Sequence, residues 1–271
     1  MTTSAPAIAF ENVAKSFDQG RLIAVDGVSL TVAQGEFLAV VGGSGSGKTT
    51  LLRLANRLIE TDGGCVRIRG DDVQSLDPIA LRRRIGYVFQ SGGLFPHMSV
   101  ADNIGITPRL LGTPTAEIAQ RVDELLDLVR LDRGRHRDRF PHQLSGGERQ
   151  RVGVARALAA KPDIVLMDEP FGALDPLTRD ALGEDYRQLH RDLRLTTVMI
   201  THDMAEAVLL ADRIAVMRSG HLLAQGTPEQ LASSDDPYVL QLLRTPRRQA
   251  ERLQALLPQS ASDDAPSMAP R

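Results

Sequence analysis

Residues 42–50 read Gly-Gly-Ser-Gly-Ser-Gly-Lys-Thr-Thr, between the apolar run Phe-Leu-Ala-Val-Val at 37–41 and the pair Leu51 and Leu52. Four glycines and two serines make a poor helix interior and a poor strand, because glycine loses much backbone freedom on ordering and has no side chain to pack. Between a strand and a helix they have a use. The spacing Gly42-x-x-x-x-Gly47-Lys48-Thr49 is that of a phosphate-binding loop. Gly42, Gly43, Gly45 and Gly47 let the backbone curl so that successive N–H groups, those of Ser44 and Ser46 included, face one anion. The helix expected to start near Lys48, with Thr50 in its first turn, adds its positive N-terminal end. Lys48 is placed for β- and γ-phosphates, and the Thr49 hydroxyl for Mg²⁺. A flexible linker would need neither the strand before nor the helix after. The stretch implies a nucleoside triphosphate site of a kind shared by many unrelated ATPases and GTPases.

A phosphate loop needs an acid on its metal side. "DIVLMDEP", at 163–170, reads as a buried strand ending in Asp168, which would hold Mg²⁺. Glu169 follows at the strand's carboxyl end, where α/β sites lie, and a carboxylate there can act as general base on an attacking water. A solvated Asp-Glu pair at a strand end is the plainer reading, and the phosphate loop upstream disfavours it.

The rest of the chain sorts into regions. The first ~75 residues are rich in short strand-like segments ("AIAFENV", "VSLTV", "EFLAVVG", "CVRIRG"), with turn signals at Gln34-Gly35 and Asp62-Gly63-Gly64. Val66 and Ile68 alternate with Arg67 and Arg69, as on a half-exposed strand. Residues from about 96 to 160 read mostly helical, with Ile118, Val122, Leu125, Leu126 and Val129 on one face. "DIVLMD", "PLTRDALGEDYRQLHRDL" and "TTVMIT" then read strand–helix–strand, which implies a parallel α/β core. The tail from about 256 is rich in Ser, Pro, Asp and Ala and is expected to be disordered. No internal repeat is found.

Composition excludes more than it selects. A net charge of −2 over 271 residues gives no global field for nucleic acid. The single Cys65 excludes an intrachain disulfide and a cysteine metal site. The N-terminus lacks the pattern of a secretion signal. The longest apolar runs are about five residues, against the ~20 that span a bilayer, so the chain reads as soluble by itself. The cluster "RLDRGRHRDRF", at 130–140, mixes Arg and His with Asp132 and Asp138 and reads as a solvated connector.

"LSGGERQ", at 144–150, precedes a helical "RVGVARALA". Ser145 followed by Gly146 and Gly147 at a helix start makes a second anion-binding end, with Ser145 as N-cap. A chain with one phosphate loop and this second grip resembles an ABC-type ATPase. The resemblance covers roughly residues 7–245. It implies an α/β fold: a P-loop NTPase core of ABC type, an antiparallel β subdomain at the start and a helical signature subdomain from about 95 to 160. Residues 246–271 are left as a short helix, with Leu253, Leu256 and Leu257 on one side, and a tail.

The resemblance also assigns roles. Ser145, Gly146 and Gly147 of one subunit would close over ATP held by the other, so a homodimer would hold two ATP molecules. Phe17 matches the aromatic that stacks on adenine, although a core Phe is the competing reading. Gln90, in "IGYVFQ", matches the glutamine that reaches Mg²⁺ and the water. Asp175, in "GALD", matches the aspartate of the dimer interface, and His202, in "MITHDM", the switch histidine at the γ-phosphate. Asp203 and Glu206 read as helix-start acids. Gly172 stands where many members have Ser, and Gly153 lies inside the signature helix, where Gly costs about 1 kcal/mol. Neither removes a catalytic group, so an active enzyme is expected.

Within the class, the segments 85–112, 139–182 and 201–217 look like the osmoprotectant importers, which take up glycine betaine, choline, carnitine or proline. This implies integral-membrane permease subunits, a separate extracytoplasmic binding protein and a peripheral position on the cytoplasmic face of the cell membrane. Residues 95–98 would meet a short helix of the permease. Too little chain follows Tyr238 for the pair of regulatory modules some members carry, which puts osmotic sensing in doubt. Two alternatives stay open: an importer subunit for another small solute, and a soluble ABC ATPase on nucleic acid or ribosomes.

Overall fold

The computed structural model describes residues 5–90 and 92–256. In chain order the strands are β1 (Ile8–Phe17), β2 (Leu22–Val32), β3 (Phe37–Val41), β4 (Gly63–Ile68), β5 (Asp71–Asp72), β6 (Ile85–Val88), β7 (Ile164–Asp168), β8 (Thr196–Thr201), β9 (Arg213–Arg218) and β10 (His221–Gly226). The helices are α1 (Lys48–Ala55), α2 (Pro78–Arg84), α3 (Val100–Leu110), α4 (Thr115–Leu128), α5 (Arg133–His136), α6 (Gly146–Leu158), α7 (Pro176–Leu193), α8 (Met204–Leu210), α9 (Pro228–Ala232) and α10 (Pro237–Leu256).

Two sheets result. The antiparallel one runs β2-β1-β4-β5, and the other runs β10-β9-β3-β8-β7-β6, parallel except for the β9–β10 hairpin. Every residue of β3, β7 and β8 is buried, because both faces of this sheet are covered. The pleat still sorts the side chains. Leu38 and Val40, Leu166, Val198 and Ile200 face a core shared with α1 and the antiparallel sheet. Phe37, Ala39 and Val41, Val165, Met167 and Met199 face a second core built with α3, α4, α6, α7, α8 and α10. In β4, Val66 and Ile68 are buried as their alternation predicted.

The helical region matches its expected face: Ile118, Val122, Leu125, Leu126 and Val129 are all buried. Asn103 on α3 is fully buried. Its amide donates to the carbonyls of Phe95, Met98 and Ser99, and its Oδ1 accepts from Phe95 N–H, which fixes the loop ahead of α3. Two details differ from the sequence reading. The connector before α6 is not wholly solvated: His136 is buried and joins Glu148 at 2.9 Å. The short helix expected after residue 245 is the second half of α10, which passes through Pro246 without a break. Its first half is anchored by buried Val239, with Leu242 and Leu243 packed on the core, and that packing carries the helix across the boundary. Leu257 and the tail expected to be disordered lie outside the described residues. Among the described residues no helix is long and apolar enough to cross a membrane.

Candidate functional site

The parallel sheet brings four strand ends to one edge. Val41 of β3 lies opposite Thr201 of β8, Ile200 opposite Asp168 of β7, and Met167 opposite Val88 of β6. The residues that follow these ends are the glycine loop, His202, Glu169 and Gln90, side by side at the carboxyl edge where α/β sheets bind ligands.

The loop between β3 and α1 is held by contacts that only glycine allows. A Cβ on Gly42 would stand 2.2 Å from the carbonyl oxygen of Met217. Gly47 has φ +98° and a Cβ there would stand 2.1 Å from Ala24 O. Gly47 is also the N-cap of α1, and no side chain caps it. The first N–H groups of this helix are therefore left without a capping side chain, at the positive end of the helix. Gly43, Ser44 and Gly45 are exposed and Ser46 is buried. Lys48 is buried and folds back on its own loop, donating to Gly42 O at 2.8 Å and Gly43 O at 3.0 Å. Burial lowers its pKa, with the Glu169 and Asp168 carboxylates acting against that. Thr50 is half-buried on the first turn of α1.

Asp168 sits next to this turn. It accepts from the Thr49 hydroxyl at 3.3 Å and from the Tyr87 hydroxyl at 3.4 Å. Burial raises its pKa, and the Arg53 guanidinium one helical turn after Thr49 opposes the rise. Thr49, Asp168, Glu169 and the Gln90 amide present hard oxygen donors at one place. Among the described residues no group of three or more His, Cys, Asp or Glu forms a metal cage. That composition suits Mg²⁺, which takes one or two carboxylates and leaves its other positions to water and phosphate.

Glu169 has φ +44°, a left-handed conformation uncommon outside glycine, and its N–H bonds Ile200 O at 3.0 Å. Strain of this kind clusters at functional sites. The turn aims the carboxylate along the sheet edge, where Oε2 accepts from Gln90 Nε2 at 3.2 Å and meets His202 Nδ1 at 3.2 Å. The His202 side chain is 60% exposed and that of Glu169 is 23% exposed, so the group is open to solvent. A Cβ on Gly172 would lie 3.7 Å from the Glu169 side chain, at ordinary contact distance, so the serine found in many members would fit.

The signature stretch lies elsewhere. Ser145 is the N-cap of α6: its Oγ accepts from Glu148 N–H at 3.2 Å, and Glu148 Oε2 accepts from Ser145 N–H at 2.7 Å. Those bonds, with His136 beside the other carboxylate oxygen, hold the Glu148 pKa down at about 2. Ser145 and Gly146 are exposed and Gly147 half-buried. Asp175 caps α7 by accepting from Thr178 N–H at 3.0 Å, and the Thr178 hydroxyl and N–H hold its carboxyl below the usual range. Among the described residues no hydrogen bond joins residues 145–147 to the glycine loop. Phe17, at the end of β1, is 38% exposed and pairs with Leu22, two residues before the Ala24 carbonyl that packs on Gly47. Asp203 caps α8, as its reading predicted, but Glu206 is buried and burial pushes its pKa up to about 7.

Sequence reasoning missed three neighbours of this site. Arg53 was available from helical spacing, four residues after Thr49. Tyr87 lies in a strand whose partner had to be known. Tyr238, on α10, accepts from Gly43 N–H at 3.2 Å across 195 residues, with the Arg218 guanidinium 4.7 Å from its ring centroid. No local signal marks that pairing.

The family model described as ABC transporter matches residues 25–172. The choline transport ATP-binding protein OpuBA of Bacillus subtilis is 49% identical over 225 residues, 83% of this chain and 58% of that protein. The glycine betaine uptake system ATP-binding protein YehX of Escherichia coli is 50% identical over 221 residues, 82% of this chain and 71% of its own length. The chain thus spans little more than half of the Bacillus relative. Among solved structures, the dimeric post-hydrolysis state of the ATP-binding cassette MJ0796 bound to ADP and Pi superposes with a TM-score of 0.73 at 32% identity, covering 81% of this chain and 98% of that one.

Proposed function

This chain belongs to the ABC transporter family, and on that footing we propose that it is the ATP-hydrolysing subunit of an importer for a quaternary-amine osmoprotectant such as glycine betaine. The observation that carries the hydrolytic reading is the Glu169 carboxylate, aimed by a left-handed turn and held between Gln90 and His202 beside Thr49 and Asp168. Residues 42–50 would bind the phosphates of ATP, with Lys48 leaving the carbonyls of Gly42 and Gly43 for the β- and γ-phosphates. Phe17 would stack on the base. Bound Mg²⁺ would neutralise charge on the phosphate oxygens, and Thr49, Asp168 and Gln90 are the residues that would hold it.

Glu169 would take the proton of the attacking water, with Gln90 and His202 fixing the carboxylate's direction. Ser145, Gly146 and Gly147 of a second copy would stabilise the charge that develops on the γ-phosphate. Their separation from the glycine loop within one chain supports a homodimer with Asp175 at its interface. Residues 7–245, with the helical subdomain at about 95–160, would form the ATPase domain, and α10 would run on from it. Permease subunits, a separate extracytoplasmic binding protein and a peripheral place on the cytoplasmic face complete the reading. The substrate assignment rests on the likeness to the choline and glycine betaine proteins, since the transported solute would not touch this chain.

The test is Glu169→Gln. The variant is expected to form a stable dimer in MgATP on gel filtration and to abolish labelled glycine betaine uptake in the native host. A variant that stays monomeric and hydrolyses ATP at the wild-type rate would refute the hydrolytic reading. Lost hydrolysis with undiminished uptake would refute the substrate alone.

A further inference from the structure

Gln90 and Ser145 stand at opposite ends of a physical link that begins where the backbone leaves β6. The loop after that strand lies along one stripe of α6, met by residues 150, 153 and 156, three apart on the helix. Gln150 donates Nε2 to Phe89 O at 3.4 Å. Gly153 approaches so closely that a Cβ there would stand 3.2 Å from both Gly92 Cα and Gly92 O. Arg156 donates Nη2 to Gly92 O at 2.8 Å and Nη1 to Gly93 O at 2.7 Å. Its guanidinium also lies 5.8 Å from the ring centroids of both Phe89 and Phe95.

Arg156 is 8% exposed, and among the described residues it forms no ion pair with a carboxylate. A buried guanidinium without a counter-charge is costly unless its donors are well satisfied. Here two backbone carbonyls and two ring faces stand in for the carboxylate. The carbonyls it holds belong to the loop that carries Gln90, two residues upstream, and Gln90 in turn holds Glu169. At the other end of α6 stands Ser145. The glycine at 153, unfavourable for a helix by propensity, is what lets the loop come this near.

We infer that Arg156 is a positioning residue for hydrolysis: it pins the Gln90 loop to the helix that starts at Ser145, so that the glutamine of one nucleotide site and the serine offered to the other move as one body. The inference rests on the ATPase reading above. In this reading the buried side chain acts by fixing where Gln90 stands, through the carbonyls of Gly92 and Gly93. Because a small misplacement of a positioned group lowers the rate without weakening substrate binding, the effect belongs in kcat.

The experiment is steady-state ATPase kinetics on the purified full chain, comparing Gln90→Ala, Arg156→Met, Arg156→Lys and the double variant Gln90→Ala/Arg156→Met. Arg156→Met is expected to lower kcat roughly ten- to a hundredfold with KM for ATP within about twofold of wild type. Arg156→Lys should recover part of the rate. The double variant should be no slower than Gln90→Ala alone, since a pin has no effect once the group it positions is gone. Fold-losses that multiply in the double variant, or a KM rise that accounts for the loss, would overturn the inference. If Arg156→Met does not fold, Phe89→Leu loosens the same loop without stranding a charge. It should show a smaller loss with the same non-additivity, and additivity there would equally sink the idea. A wild-type kcat in Gln90→Ala would instead remove the role of Gln90, and this inference with it.

Discussion

Two helices in this molecule begin with glycines, and they begin differently. At α1 the N-cap is Gly47, in a left-handed conformation with no capping side chain, and Lys48 is buried. At α6 the N-cap is Ser145, locked in a reciprocal capping box with Glu148, on an exposed corner. The first helix start leaves its amides without a capping side chain. The second is complete by itself and keeps a hydroxyl and two glycines on the surface. A helix start with nothing to cap it depends on an anion, whereas a capped one can offer itself to another molecule without unravelling. On the proposed reading, one end would receive the phosphates of ATP held by its own chain, and the other would be presented to a second copy.

The sharpest way to break this comparison is one substitution made at both ends. Gly47→Ala places a Cβ against the Ala24 backbone at a positive φ and should prevent folding or abolish ATP binding. At Gly147 the Cβ would meet only the Thr178 methyl, at 2.6 Å, a side-chain end that can move. Gly147→Ala should therefore fold with nearly the wild-type melting temperature, bind ATP normally and hydrolyse it slowly. Circular dichroism with a fluorescent-nucleotide titration separates the two, and equal behaviour would dissolve the distinction.

A smaller effect is expected of the cap. Ser145→Ala should lose about 1 kcal/mol of stability by denaturant titration and retain ATP affinity.

The capping box also has a signature on the acid side of the pH range. Glu148 is held at about 2 against an ordinary 4.5. Its folded-state pKa is depressed, so its contribution is present above about pH 4.5 and is lost as pH falls toward 2. Glu148→Gln keeps the hydrogen-bonding shape and removes the charge, so stability should fall less between pH 4.5 and 3 in the variant. The difference should be on the order of 1 kcal/mol after allowance for solvent screening. A parallel pair of pH curves would contradict it.

The smallest effect belongs to Tyr238→Phe, which removes a hydroxyl from Gly43 N–H and leaves the ring. ATP affinity should change by a few-fold at most, about the worth of one neutral hydrogen bond, with the melting temperature unmoved.

What the sequence made legible follows the same divide. The glycine loop, Asp168, Glu169 and Ser145 could be read because their geometry is local: a strand end, a turn and a helix start, each contiguous in the chain. The buried strands could be read because both faces of the parallel sheet are covered, so that apolar residues dominate them, with Asp168 at the end of β7 and the threonines of β8 as the exceptions. Gln90 and His202 could be named only by resemblance, since nothing local distinguishes a glutamine or a histidine after a strand. Tyr87, Tyr238 and Arg156 escaped because each acts through a partner fixed by strand order or helix packing. Tyr238 meets Gly43 only because α10 crosses back over the core, and Arg156 meets Gly92 only because Gly153 admits the loop. The continuity of α10 through Pro246 was hidden for a related reason: its first half is held by packing against the core, which no helix propensity reports.

Among the described residues no hydrogen bond joins the glycine loop to the signature serine, and if two copies pair as proposed, damage to them would obey a simple combinatorial rule. A copy with Lys48→Ala and a copy with Ser145→Ala, paired, would place both lesions in the same composite pocket and leave the other pocket whole. Either variant alone would spoil both pockets of its own pair. Mixing two inactive preparations in equal amounts should then restore activity, because about half of the randomly formed pairs would contain one intact pocket.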